Sequence, residues 1–177
     1  MRKITYITAA LLVTLSLTFC SDDGPTGPSG SDSTGEASFN VSGDLELSFD
    51  GNAQFSKFDE ANIESWALDF TDAGQNYTIT ITTQDQEEVE RPPEGTYTIG
   101  FVTDGFIANF LDDSEDGFEN FVEYSTMAEG FGGEIVITES STDLVEGTFN
   151  FTAVELLEEG GGEIEVTEGE FSATPRQ

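Results

Sequence analysis

The chain has 177 residues, with 36 acidic side chains against five basic ones, a formal charge of −31, one cysteine and no histidine. That composition excludes an internal disulfide, Ser-His and Cys-His nucleophilic sites and the usual zinc sites. It also sets the surface against nucleic acid, whose binding depends on Lys and Arg neutralising phosphates.

Arg2 and Lys3 precede an uncharged run from Ile4 to Phe19. A positive end, an apolar stretch and a processing site make the pattern of a secretory signal peptide. The run stops short of the roughly 20 apolar residues that a membrane-spanning helix needs. Leu17-Thr18-Phe19-Cys20 closes it and supplies the lone cysteine. This stretch resembles a bacterial lipobox, with Phe19 in place of the usual small residue. The resemblance implies that residues 1–19 are a signal peptide and that Cys20 is lipidated and begins the mature chain. One acyl chain holds a protein only marginally, whereas two or three hold it stably. The following Ser21-Asp22-Asp23 is similar to the export tag of Bacteroidota surface lipoproteins. It implies anchoring to the outer membrane at the cell surface, the periplasmic face being the alternative.

Without the leader, Lys57, Arg91 and Arg176 remain against all 36 acidic residues. Such a surface repels anionic headgroups, so the lipid at Cys20 must do the holding. High charge can signal disorder, but the 14 Phe, three Tyr and one Trp outside the leader supply a foldable core. Salt adaptation accounts for the charge better. The screening length falls from roughly 10 Å at 0.1 M salt to about 3 Å at 1 M.

Residues 20–37 hold the lipidated cysteine and a Gly, Pro, Ser and Asp-rich linker. From residue 38 to 174 a single β-domain is expected, because apolar positions alternate with polar ones. Phe39 and Val41 alternate, then Leu45, Leu47 and Phe49. Asp50-Gly51-Asn52 reads as a turn, and Gln54–Ser65 as irregular, with room for a helical turn. Trp66, Leu68 and Phe70 form the next strand, and Asp72–Asn76 turns the chain into Tyr77, Ile79, Ile81 and Thr83. Gln84–Glu94 reads as an exposed acidic loop, and Gly95–Ile99 as a strand. Phe101–Met127 reads as loop-like. Glu134–Thr138, Leu144–Ala153, Ile164–Val166 and Glu170–Ala173 complete the strands, with a hairpin loop at Glu158–Gly162 and a turn at Glu168-Gly169.

No segment carries a sustained helical stripe. The fold class is therefore all-β: an antiparallel β-sandwich of about 8–10 short strands, with a closed or partly open β-barrel as the alternative. Three strands open with Gly-x-aromatic, at Gly95, Gly147 and Gly169. The glycine is expected to serve a turn and the aromatic the core. Gly147–Ala153, the Gly-rich turn after it, Ile164–Thr167 and Gly169-Glu170-Phe171 resemble the C-terminal end of a family of uncharacterised Bacteroidota lipoproteins. Gly95-Thr96-Tyr97 and Gly133–Glu139 fit the same pattern. The resemblance spans roughly residues 39 to 173. It implies a surface or periplasmic β-domain and carries over no functional residue except Cys20.

The chemistry on offer is sparse. Ser56 and Lys57 alternate across a strand, so they do not make a dyad. Two carboxylates could serve a small glycoside-type hydrolase, but acidic residues are too abundant to single out a pair. The stretch Asp112–Glu123 fits the calcium-loop template. Asp112, Ser114 and Asp116 offer side-chain oxygens, Gly117 the turn, Phe118 its carbonyl, Asn120 the ninth position and Glu123 the closing carboxylate. Glu119 stands where such loops carry an aliphatic residue, and a solvated acidic loop is the competing reading. Calcium is the one cofactor that the sequence raises. Phe106, Phe110, Phe118, Phe121, Tyr124 and Phe131 either form a glycan- or partner-binding face or join the core, as most Phe do. Together these readings point to a monomeric, lipid-anchored binding or structural domain without catalysis. The alternatives are a glycan- or protein-binding module and a carboxylate-based hydrolase.

Overall fold

Alternation is realised as ten strands: β1 (Gly35–Gly43), β2 (Leu47–Glu60), β3 (Ile63–Asp72), β4 (Tyr77–Thr83), β5 (Gly95–Ile99), β6 (Phe106–Asp112), β7 (Val122–Ser125), β8 (Gly132–Ser140), β9 (Val145–Glu155) and β10 (Glu163–Pro175). This computed structural model describes residues 35–60, 63–83, 91–101, 105–114, 121–156 and 161–177. The leader, Cys20, most of the linker, most of the acidic 84–94 loop and the tip of the 158–162 hairpin lie outside those residues. Among the described residues there is no helix.

Nine strands close into a barrel in the order β1-β2-β3-β4-β6-β5-β8-β9-β10, with β10 returning to β1. The sandwich expectation is therefore corrected to its barrel alternative. A sandwich leaves unpaired edges, whereas closure pairs them. Neighbours in a ring of nine cannot all be antiparallel, and the mismatch falls at β5–β6, which run parallel through Ile99 and Phe106. The wall between β6 and β9 is split. In its lower part β5 and β8 fill the space, and above them β7 bridges β6 and β9. Here "lower" means the end where the chain enters at Gly35 and leaves after Pro175. β7 is fixed by two buried polar residues. Thr126 exchanges hydrogen bonds with the Ala108 backbone, and the Ser125 hydroxyl donates to Asn109 Oδ1 at 2.6 Å.

The interior is packed with aromatic rings. Phe149 lies at the centre, with Phe70 at 5.1 Å, Phe39 at 5.7 Å, Phe171 at 6.2 Å and Phe151 at 6.3 Å between centroids. Phe49 stacks on Phe39 at 4.2 Å. Trp66 bridges Phe55 and Phe106, and Phe110 bridges Tyr77 and Tyr124. Rings this large fit because the wall thins where glycine stands. Gly147 pairs with Phe171 and Gly169 with Phe149 across β9–β10. A Cβ at Gly147 would lie 2.9 Å from the Phe171 ring, and one at Gly169 would lie 2.8 Å from the Phe149 ring. Gly147 and Gly169 thus serve ring packing inside strands rather than turns, whereas Gly95 opens β5 with room for a Cβ at 3.5 Å from Tyr97.

Other expectations change as well. Asp50-Gly51-Asn52 lies inside β2, because Gly51 sits beneath the Phe49 ring and pairs with both Ala37 and Asp72. Gln54–Ser65 belongs to the β2–β3 hairpin, whose ladder continues to Glu60 and Ile63. Glu168-Gly169 is a bulge within β10, with Glu168 at φ 53° and the register slipping on both sides. The Phe101–Met127 segment contributes β6 and β7, and its Phe106, Phe110 and Tyr124 are buried.

Candidate functional site

With the interior filled, the outer wall is left to act, and its charge is uneven. Outward positions of β8, β9, β10 and β1 include Glu134, Glu146, Glu163, Glu165, Glu170 and Glu36. Those of β3, β4 and β6 carry Ala67, Thr71, Thr78, Thr80, Ile107 and Asn109. Asp69 is the acid among them. It accepts the Thr80 hydroxyl at 3.0 Å and faces Arg176 at 3.4 Å.

Clefts open on this wall among the described residues, and two of them differ in character. The first, of about 710 Å³, follows the β10 bulge and is lined by Ser38, Asn40, Ser48, Asp50, Asn150 and Glu168 among others. A short chain of bonds crosses it. The Ser48 hydroxyl donates to Asn40 Oδ1 at 2.9 Å, and Asn40 Nδ2 donates to Glu168 Oε2 at 2.9 Å. The second, of about 510 Å³, lies at the split in the wall, between residues 98–101 and 128–133. Phe101 stands beside it with 71 % of its surface exposed, the highest value among the exposed large apolar residues. The aromatic list read from the sequence omitted Phe101, because it directly follows a strand signal and a glycine. Phe131 is half-buried at the same cleft, and Met127 is exposed in the same loop. Phe121 is exposed elsewhere, and Phe118 lies outside the described residues.

The calcium template falls on the β6–β7 connection. Asp116, Phe118 and Asn120 lie outside the described residues. Asp112 pairs with Val122, and Glu123 pairs with Leu111. Paired residues share a face and successive ones alternate, so Asp112 and Glu123 stand on opposite faces of the ladder. Asp112 Oδ1 accepts the Ser114 backbone N–H at 2.9 Å, a local turn. Among the described residues no three acidic side chains gather as a metal site.

Two phenols are perturbed. Burial pushes Tyr124 above the ordinary phenol range, and the nearby carboxylates of Glu155, Asp44 and Asp112 push the same way. Burial also raises Tyr97, whose hydroxyl donates to the Pro93 carbonyl at 2.7 Å. Arg91 Nε donates to Ser140 Oγ, which donates in turn to the Pro92 carbonyl, and this pins the start of β5 to the end of β8.

A family model described as a domain of unknown function, DUF6252, matches residues 45–175. That range runs from the β1–β2 turn to the end of β10. No curated protein and no solved structure matches the chain.

Proposed function

The chain belongs to the DUF6252 family of domains of unknown function, and we propose that it is an outer-membrane lipoprotein that displays a non-catalytic binding or structural barrel at the cell surface. The observation that carries this reading is the barrel's construction. Among the described residues its interior is occupied by packed aromatic rings, which leaves the outer wall as the surface for a partner. Its first strand, joined to the linker, and its last strand both end at the lower end. A lipid at Cys20 would tether the barrel through the linker that leads into its first strand. The leader, the lipobox-like Leu17–Cys20 and the acidic Ser21-Asp22-Asp23 support the same address, and the acidic wall suits a salty exterior.

Protease added to intact cells tests the display. Digestion of the barrel, with loss of the protein from the membrane fraction in Cys20→Ser, is the expected outcome. A fully protected barrel in unbroken cells would place it on the periplasmic face instead.

A further inference from the structure

We propose that the cleft between residues 98–101 and 128–133 is a subsite for a neutral glycan, with Phe101 as the stacking platform and Glu129 as a hydroxyl acceptor. The subsite gives the binding role proposed above a place and a ligand class, and it depends on that role.

The cleft arises where two segments leave the ladder. β5 ends at Ile99 and β8 begins at Gly132, and the chain turns out of the wall at both points. Gly100, Gly130 and Gly132 have φ of 141°, 95° and 136°, values that side-chain-bearing residues rarely adopt. The two segments touch through bare backbone. A Cβ on Gly132 would lie 2.2 Å from the Ile99 carbonyl oxygen, and one on Gly100 would lie 3.2 Å from that of Phe131. A Cβ on Gly130 would meet nothing within 4 Å, so that position faces open space. The result is a cleft whose two walls are held together by glycine backbone and which opens at Gly130, with Phe101 and Phe131 beside it and the exposed carboxylate of Glu129 in its lining.

An exposed aromatic is informative in this chain. The barrel buries Phe39, Phe49, Phe70, Phe106, Phe110 and Phe149 at 4 % exposure or less, yet leaves Phe101 at 71 %. Burying a Phe contributes favourably to folding, and Phe101 forgoes most of that gain. A sugar ring presents C–H groups on one face and hydroxyls at its edge. An aromatic platform with a carboxylate acceptor matches both parts. The volume, about 510 Å³, falls in the range of roughly 300–1,000 Å³ common for small-ligand sites. No basic side chain lines the cleft, and the protein is strongly acidic, so uronate-bearing, sulfated or phosphorylated polymers are repelled. A basic peptide would find far more carboxylates on the β8-β9-β10-β1 wall than at Glu129. The bulge groove has amides and carboxylates but no exposed aromatic, so it lacks the stacking partner.

The test is an array of neutral and acidic glycans probed with the purified full-length protein in nonionic detergent. Bound neutral glycans are then titrated against ¹⁵N-labelled protein. The account expects binding to neutral glycans, shifts of the Gly130 and Gly132 amides, and affinity about tenfold weaker in Phe101→Ala, as expected for a stacked aromatic anchor. Glu129→Gln should weaken binding less. The exposure of Phe101 means that Phe101→Ala should melt with the parent protein, so lost binding cannot be lost fold. No glycan bound, binding to acidic glycans alone, full affinity in Phe101→Ala, or shifts at Asn40 and Glu168 instead would each overturn the subsite. Those results leave surface display untouched, since protease accessibility on intact cells decides that separately.

Discussion

Replacing Phe149 with Ala should test the filled barrel severely. Phe149 is 2 % exposed and contacts the rings of Phe39, Phe70, Phe151 and Phe171. Its ring also covers Gly169, whose missing Cβ makes room for it. Phe→Ala in a packed core costs about 3–5 kcal/mol, more where neighbours cannot collapse. Collapse is hindered here, because closure holds the four neighbouring rings on strands that are paired on both sides. The upper part of that range, about 4–5 kcal/mol, is therefore expected. It is a large share of the roughly 5–15 kcal/mol that separates a native domain from its unfolded chain. At about 3–4 °C per kcal/mol for a domain of this size, the melting temperature should drop by roughly 12–20 °C. Calorimetry in molar NaCl measures this while screening keeps charge repulsion constant. Phe149→Leu should recover about half of the loss. A drop of less than about 1 kcal/mol would refute the reasoning, since it would mean that the centre of the barrel is loosely packed or open.

Stability should rise steeply between low and molar NaCl, because screening relieves repulsion within the acidic wall; a flat melting temperature would refute salt adaptation. Calcium and magnesium should raise the melting temperature equally, as screening ions do, and a calcium-specific rise would restore the Asp112–Glu123 template despite the opposed faces. Tyr97 and Tyr124 have folded pKa values above the ordinary 10.0. Their neutral forms are favoured by the fold, so the contribution is fully present below pH 10 and is lost as pH rises through the raised folded values. Ultraviolet titration should show both phenolates forming late, and Tyr124→Phe should soften the alkaline loss of stability; ionisation of both at the ordinary phenol pKa would contradict the burial argument.

Much of the fold was legible because a strand with one buried face writes period two into its residues. β4, with Ile79 and Ile81 inward and threonines outward, shows it cleanly. The misreadings fall on glycine. Asp50-Gly51-Asn52 and Glu168-Gly169 have turn composition, but their glycines exist for rings that come from other positions, Phe49 in one case and Phe149 in the other. Phe149 reaches Gly169 across the β9–β10 ladder, beyond any local window, whereas Phe49 stands two residues before Gly51 on the same strand and folds over it. β7 escaped notice because four residues are too few for a period, and its anchoring by Ser125 and Thr126 is polar.

Barrel closure is left by the sequence as the alternative to a sandwich for a different reason. It rests on β10 meeting β1 and on the short parallel β5–β6 contact, and both depend on long-range register rather than composition. The candidate site was partly legible. Exposed aromatics were the right class of feature to look for, but burial divides them in a way that spacing does not reveal. Phe106 and Phe110 face inward on β6, whereas Phe101 stands outside the last turn of the wall. The calcium template matched residue types correctly and said nothing about pairing, and it is the pairing that separates Asp112 from Glu123.

The anchored-display account stands on Cys20, and mass spectrometry of the membrane-extracted protein addresses it most directly. The account predicts a mature chain whose first residue is Cys20, heavier than its sequence by two or three acyl chains, with the ester-linked chains, but not one on the α-amine, lost on alkaline hydrolysis. A chain that retains the leader, starts at another residue or carries an unmodified Cys20 would contradict it.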